Sequence, residues 1–168
     1  QNILQDRLLE ILPQAVFIGE EGEKTEYSGQ GYAFIVDPID GTTNFIKNYH
    51  MSAISVGLIK DGEQYIGVVY NPYLDEMYTA IKGEGAYCNW EKIHVNNKHV
   101  GELGYKVNFE AWSSAKFDTM EIVHEMLPKV RVSNIGSVAR SCMAIAAGDF
   151  SCDIFPGSSH GNCDIAAS

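Results

Sequence analysis

Hydrophobic positions at the start of the chain recur every three or four residues, which is the spacing of one face of a helix. These positions are Ile3, Leu4, Leu8, Leu9, Ile11 and Leu12. Pro13 ends the predicted helix, because proline has no amide hydrogen and clashes with the preceding turn. The short apolar run 15–18 then predicts a strand that carries Glu20 just beyond its end.

The next hydrophobic segments are shorter and predict strands. Residues 32–36 are almost wholly apolar, as expected of a central strand buried on both faces, and the run stops at Asp37. The polar residues that follow predict an elbow from strand to helix. Segments 52–59, 64–70 and 76–81 are rich in β-branched and aromatic residues and are separated by turn signals, so they predict an antiparallel meander.

Strands and helices alternate in the last third of the chain. Predicted strands cover 106–109, 130–134 and 152–155, and predicted helices cover 117–127 and the segment from Ser137 to residue 147. Ser137 is suited to cap the second helix, and Gly148 is suited to end it. This alternation predicts an α/β fold.

Composition limits the classes of function. The 168 residues are 45% hydrophobic, enough for one domain or most of a larger one, and carry a formal charge of −10. That charge disfavours non-specific binding to nucleic acid or anionic membranes. No apolar run approaches the roughly 20 residues that cross a bilayer, so we expect a soluble, cytoplasmic protein. Cys88, Cys142, Cys152 and Cys163 form no CxxC pair, which favours free thiols.

Two carboxylates, Asp37 and Asp40, flank Pro38 at the predicted elbow. Carboxylates this close repel each other unless a cation lies between them, and hard oxygen ligands suit Mg²⁺. Gly41-Thr42-Thr43-Asn44 is predicted to open a helix whose amides favour a bound phosphate. An Asp-Pro turn with a helix cap is the ordinary alternative for this segment, but the apolar strand before it and Glu20 upstream favour a catalytic site.

Three segments resemble the signature motifs of the inositol monophosphatase family in order and spacing. They are IGEE at 18–21, VDPIDGTTNF at 36–45 and CDIAA at 163–167. The resemblance covers nearly the whole chain and implies a layered αβαβα sandwich, with residues 1–168 as one domain incomplete at both termini. We expect the family's amino-terminal helices and carboxy-terminal half-domain to lie outside this segment. Homodimers are usual for such proteins.

The resemblance also implies a site with two Mg²⁺ ions and activation of a water molecule by the first. The first ion would be held by Glu20, Asp37 and the Ile39 carbonyl. The second would be held by Asp37, Asp40 and Asp164. Thr42 would orient the water, amides near Asp40, Gly41 and Thr42 would bind phosphate, and Gly136, Ser137 and Val138 would contact substrate. The implied activity is lithium-sensitive hydrolysis of a phosphate monoester.

Substrate identity is left open by two departures from the family pattern. Cys163 stands where a tryptophan is usual, and Phe155 falls where inositol-selective members place a glutamate. The loop 156–162 is also longer than usual, and its His160 is expected to be an exposed loop residue, as Glu21 is. Inositol monophosphate, nucleotide 3′-phosphates and sugar bisphosphates all remain candidate substrates.

Two other readings compete with metal-dependent hydrolysis. The haloacid dehalogenase superfamily uses a D-x-D-G-T motif and an aspartyl-phosphate, but its carboxylates are two positions apart, whereas Asp37 and Asp40 are three apart. A non-catalytic module that stores metal on its acidic cluster is the second alternative. The predicted phosphate-binding elbow argues against it, because metal storage needs no such helix start.

Overall fold

A computed structural model describes residues 1–21, 25–110 and 119–155. Its helices are α1 (Asn2–Ile11), α2 (Thr42–Ile46), α3 (Thr119–Met126) and α4 (Val138–Ala146). Its strands are β1 (Val16–Gly19), β2 (Tyr32–Asp40), β3 (Ala53–Lys60), β4 (Glu63–Asn71), β5 (Glu76–Ile81), β6 (Gly85–Cys88), β7 (Glu91–Ile93), β8 (Lys106–Phe109), β9 (Arg131–Ser133) and β10 (Cys152–Ile154). The alternating pattern of the last third is therefore confirmed.

The larger sheet has seven strands in the order of the chain, β1 to β7. β1 runs parallel to β2, and every later neighbour is antiparallel, so the predicted meander is confirmed. Strands β6 and β7 extend it beyond the three segments that the sequence predicted as the meander. Asn89 and Trp90 form their connection with positive φ angles of 47° and 71°.

The smaller sheet has three parallel strands in the order β10-β8-β9. Parallel neighbours need a crossover, and α3 supplies it between β8 and β9. Helix α4 then follows β9 and leads to β10. The carboxyl ends of these strands therefore lie along one edge of the smaller sheet.

Two hydrophobic clusters cover the two faces of the larger sheet. On one face, Leu4 and Leu8 of α1 pack against Phe34 and Val36 of β2. On the other face, Ala139 and Met143 of α4 pack against Ala53 and Val69. Helix α4 also contacts β10, so it lies between the two sheets. The layered α/β sandwich predicted from the resemblance is confirmed.

One expectation about β2 is wrong. The strand does not stop at Asp37 but continues through Asp40, with a register shift against β3 between these two residues. Pro38 explains the shift, since it cannot donate to the ladder and is tolerated in a strand only at an edge or an irregularity. Helix α2 is correspondingly short, with Gly41 as its N-cap.

The described helices include none long and apolar enough to span a membrane. Three of the cysteines, Cys88, Cys142 and Cys152, form no disulfide in the described part of the chain, as the sequence predicted. Cys163 lies outside the described residues.

Candidate metal and phosphate site

The larger sheet brings Glu20 and Asp37 together because β1 and β2 are parallel neighbours. Gly19 pairs with Val36, and the Glu20 amide donates to the Val36 carbonyl at 3.0 Å. The residues that follow this pair, Glu20 and Asp37, are therefore two carboxylates side by side near the carboxyl ends of these strands. Glu20 is exposed, whereas Asp37 is only 1% exposed, and their side chains are within hydrogen-bonding contact.

Burial raises the pKa of Asp37 from its ordinary value of 3.8 to about 8. The Ile39 amide, which donates to Asp37 Oδ1 at 2.8 Å, lowers this pKa. The hydrogen bond and charge of Glu20 and the charge of Asp40 raise it again. Without a cation, like charges and burial thus favour a protonated Asp37 at neutral pH.

Asp40 ends β2 and is held by the beginning of α4. Its Oδ2 accepts hydrogen bonds from the Ser137 hydroxyl and, at 2.8 Å, from the Ala139 amide. Ser137 is the N-cap of α4 and also accepts from the Arg140 amide, as its predicted capping role requires. A carboxylate at a helix N-terminus is stabilised by the positive end of the helix dipole.

The turn after Asp40 depends on Gly41, whose φ is 83°. A Cβ at this position would lie 2.9 Å from the Ser137 Cβ and 3.1 Å from the Met51 carbonyl oxygen. Only glycine fits this close approach. Thr42 then begins α2, is exposed, and donates its hydroxyl to the Ile39 carbonyl at 3.2 Å.

Asn44 ties α2 to the segment before α4. Its buried Nδ2 donates to the carbonyls of Met51, Ile135 and Gly136 at 3.1, 2.8 and 3.1 Å. The sequence predicted Asn44 as part of the elbow but gave it no separate role. The structure shows that it joins two segments about ninety residues apart.

The substrate-contact candidates lie beside the carboxylates. Gly136 is half-buried, while Ser137 and Val138 are buried at the start of α4, and Ser137 bonds directly to Asp40. Phe155 follows β10 and is half-buried. Asp164, Cys163 and His160 lie outside the described residues, so their predicted roles stay predictions.

Ser55 is a polar residue that the sequence reasoning missed. It is 0% exposed, lies opposite Asp37 on β3, and its buried hydroxyl lacks a hydrogen-bond partner among the described residues. The sequence signal for Ser55 was its position between Ala53 and Gly57 on the same inner face of an apolar strand. Glu110, which directly follows β8, was also missed.

These residues fit a hard cation such as Mg²⁺. The donors are carboxylate, carbonyl and hydroxyl oxygens, and no described lysine, arginine or histidine offsets the charge around Asp37. The unpartnered Ser55 hydroxyl also points to a missing polar neighbour. Within the described ranges no three acidic, histidine or cysteine side chains lie together as a group that could hold a metal ion, so the fit rests on the chemistry of the donors.

The chain belongs to the inositol monophosphatase family, whose model matches residues 1–168. It is 35% identical over 158 residues to inositol monophosphatase 1 of Rattus norvegicus. That match covers 88% of this chain and 56% of the rat protein. The chain therefore spans little more than half the length of this relative.

Solved structures show the same fold. The extragenic suppressor protein suhB from Bartonella henselae superposes with a TM-score of 0.86 at 28% identity, covering 99% of this chain and 65% of that one. SaIMPase-II with bound inositol monophosphate superposes with a TM-score of 0.82 at 28% identity, covering 99% and 64%.

Proposed function

We propose that the protein containing this chain hydrolyses a phosphate monoester in a Mg²⁺-dependent reaction, with water as the attacking group. The main observation behind this proposal is the pair Asp37 and Asp40 at the irregular end of β2, followed directly by the glycine turn into α2. Inositol monophosphate or a related sugar or nucleotide phosphate is the proposed substrate. Membership of the family and the ligand of SaIMPase-II support this choice.

In this proposal Glu20, Asp37 and the Ile39 carbonyl hold a first ion, and Asp37, Asp40 and Asp164 hold a second. Bound Mg²⁺ would lower the pKa of the attacking water and neutralise charge on the phosphoryl group. The buried Asp37 would exchange its proton for the metal, because a cation removes the repulsion that raises its pKa.

The remaining residues position the phosphate. The amides around Gly41 and Thr42 are proposed to bind phosphate oxygens, because the first amides of a helix have no acceptor within it. The Thr42 hydroxyl, now 3.2 Å from the Ile39 carbonyl, would orient the water. Gly136, Ser137 and Val138 would contact the alcohol part of the substrate from the start of α4.

Three further properties are proposed. A homodimeric state and inhibition by Li⁺ through the second metal position rest on the resemblance alone, and a cytoplasmic location is the expectation from the sequence. Sedimentation of the full-length protein tests the dimer. Inhibition that is equal in LiCl and NaCl at fixed Mg²⁺ would contradict the lithium proposal.

Phosphate release by the full-length protein tests the main proposal, with Mg²⁺ and with EDTA, on a panel of inositol, sugar and nucleotide phosphates. Asp37→Asn is expected to lower the rate by about a thousandfold or more, because the metal-held water is lost. Asp61→Asn, in an exposed turn, is the matched control. Activity that survives EDTA, or a fully active Asp37→Asn variant, would contradict the proposed site.

A further inference from the structure

The segment Ile135–Gly136, just before α4, has all four of its backbone polar groups bound by side chains. The Ile135 amide donates to Asn108 Oδ1 at 3.1 Å, and the Gly136 amide donates to Glu110 Oε1 at 3.1 Å. Both carbonyls accept from Asn44. The segment is thus fixed from the smaller sheet on one side and from α2 on the other.

Glu110 is a deeply buried carboxylate at the end of β8, with 1% of its surface exposed. Its Oε1 also accepts from Asn108 Nδ2 at 2.8 Å, and the same amide group donates to Asp153 Oδ1 at 3.0 Å. Among the described residues it forms no ion pair with a lysine or arginine. Since burying a carboxylate is costly, its hydrogen bonds to Asn108 and Gly136 must offset that cost.

Gly136 leads directly into the contact between α4 and Asp40. Ser137 donates to Asp40 Oδ2 through its hydroxyl, and Ala139 donates to the same oxygen through its amide. The Ala139 amide lies in the first turn of α4, where helix geometry provides no backbone acceptor. Its hydrogen bond to Asp40 therefore depends on where α4 begins.

We propose that Glu110 and Asn108 are positioning residues for this site, because they fix the start of α4 and so orient the Asp40 carboxylate. The proposal rests on the proposed function, in which Asp40 is a metal ligand. Because Oδ2 of Asp40 is bound to the start of α4, the position of Gly136 sets the direction in which the Asp40 carboxylate points. Neither residue is expected to touch substrate.

The test compares Glu110→Leu with Glu110→Gln in the full-length protein. Glutamine keeps an acceptor oxygen for Asn108 and Gly136, whereas leucine removes it. Asn96→Leu is the matched control, because Asn96 donates to the Gly148 and Phe150 carbonyls at the other end of α4. Comparison with Asn96→Leu separates general loosening of α4 from displacement of its start.

The first measurement is hydrogen exchange of the Ala139 amide by NMR without metal. We expect exchange to be about tenfold faster in Glu110→Leu and little changed in Glu110→Gln and Asn96→Leu, as the loss of one hydrogen bond implies. The second is calorimetric Mg²⁺ binding, which should weaken in Glu110→Leu alone. The proposal would be overturned if exchange of the Ala139 amide were unchanged in Glu110→Leu. It would also be overturned if Asn96→Leu weakened Mg²⁺ binding as much as Glu110→Leu does.

If circular dichroism shows that Glu110→Leu does not fold, Glu110→Asp takes its place. This variant keeps the charge but is one methylene too short to reach the Gly136 amide, so the same pattern is expected. The variants could show the expected pattern of exchange and Mg²⁺ binding while the wild-type protein hydrolyses no phosphate monoester. That result would overturn the proposed function. The positioning of Asp40 by Glu110 would stand in that case.

Discussion

Ser55 lies directly opposite Asp37 on the neighbouring antiparallel strand, and both side chains are buried. Val69 continues this row on β4 and packs under Ala139 of α4, so the row faces the layer between the two sheets. The Ser55 hydroxyl has no hydrogen-bond partner in the described structure. A buried hydroxyl without a partner costs about 1–3 kcal/mol, which a bound ion with its water would relieve.

Replacing Ser55 is therefore expected to have opposite effects with and without metal. Ser55→Ala should keep or slightly raise the free energy of unfolding in EDTA, while it reduces the stabilisation that Mg²⁺ adds. Ser52→Ala is the control, because that buried hydroxyl bonds to the Tyr73 hydroxyl at 2.8 Å. Ser52→Ala should lower the free energy of unfolding in EDTA by about 1 kcal/mol and leave the stabilisation by Mg²⁺ unchanged. Urea unfolding measures both quantities. Equal losses of stability by the two variants in EDTA would contradict the prediction.

The raised pKa of Asp37 predicts a pH dependence of stability in the metal-free protein. The pKa is about 8 in the folded state against an ordinary value of 3.8, so the folded state binds more protons between these values. The stabilising contribution is complete below about pH 4 and is lost as pH rises to about 8. Mg²⁺ competes with this proton, so its affinity should rise over the same range.

Thermal unfolding in EDTA at several pH values checks this prediction. The melting temperature of the wild type should fall with rising pH more steeply than that of Asp37→Asn, which has no proton to lose. Asp61→Asn, whose parent side chain accepts from the Gly31 amide in an exposed turn, should follow the wild type. Parallel curves for the wild type and Asp37→Asn would show that Asp37 does not titrate in this range.

Gly41 and Gly83 allow the close approach at the elbow to be separated from backbone strain. Their φ angles are nearly equal, 83° and 85°, but a Cβ at Gly83 would meet nothing within 4 Å. Gly83→Ala should thus lower the free energy of unfolding by about 1–2 kcal/mol, which is the energy needed to hold alanine in the left-handed conformation. Alanine at Gly41 should cost about 1–3 kcal/mol more, because it collides with Ser137 and the Met51 carbonyl.

Urea unfolding gives the difference between these two variants. Phosphate binding, followed by NMR in the full-length protein, should be lost in Gly41→Ala and kept in Gly83→Ala. Equal destabilisation by both substitutions would mean that α4 can move away from the turn without cost.

Local patterns were sufficient to predict most of the secondary structure, whereas the layered sandwich followed from the resemblance. Apolar runs bounded by turn signals located β3, β4 and β5, and the cap at Ser137 with Gly148 beyond located α4 within one residue. Such elements are specified by nearby residues, through burial periodicity and capping. The short strands β6 and β7 were missed, because few of their residues are buried and their pairing is set by the rest of the sheet.

The candidate site was only partly accessible from sequence. Glu20, Asp37 and Asp40 stand out because each comes shortly after one of the apolar runs 15–18 and 32–36. Contacts between distant residues cannot be found in this way. The bond between Asp40 and Ala139 joins residues 99 positions apart, and it exists only because α4 lies between the two sheets.

The configuration at phosphorus separates the proposed mechanism from the aspartyl-phosphate alternative. Asp37 is a poor candidate for a nucleophile, because it is 1% exposed and its Oδ1 accepts from the Ile39 amide. Asp40 is buried as well, with Oδ2 held by α4. Direct attack by water inverts the configuration at phosphorus, whereas two successive displacements through an aspartate retain it.

We therefore expect inversion when the full-length protein hydrolyses a chiral, isotope-labelled phosphate ester in labelled water. A phosphatase that forms an aspartyl-phosphate, treated in parallel, should show retention and so establishes that the product does not lose its configuration during isolation. Retention by the wild-type protein would contradict a water nucleophile. It would require a carboxylate oxygen of Asp37 or Asp40 to reach the phosphorus atom in line with the leaving group, although both side chains are buried.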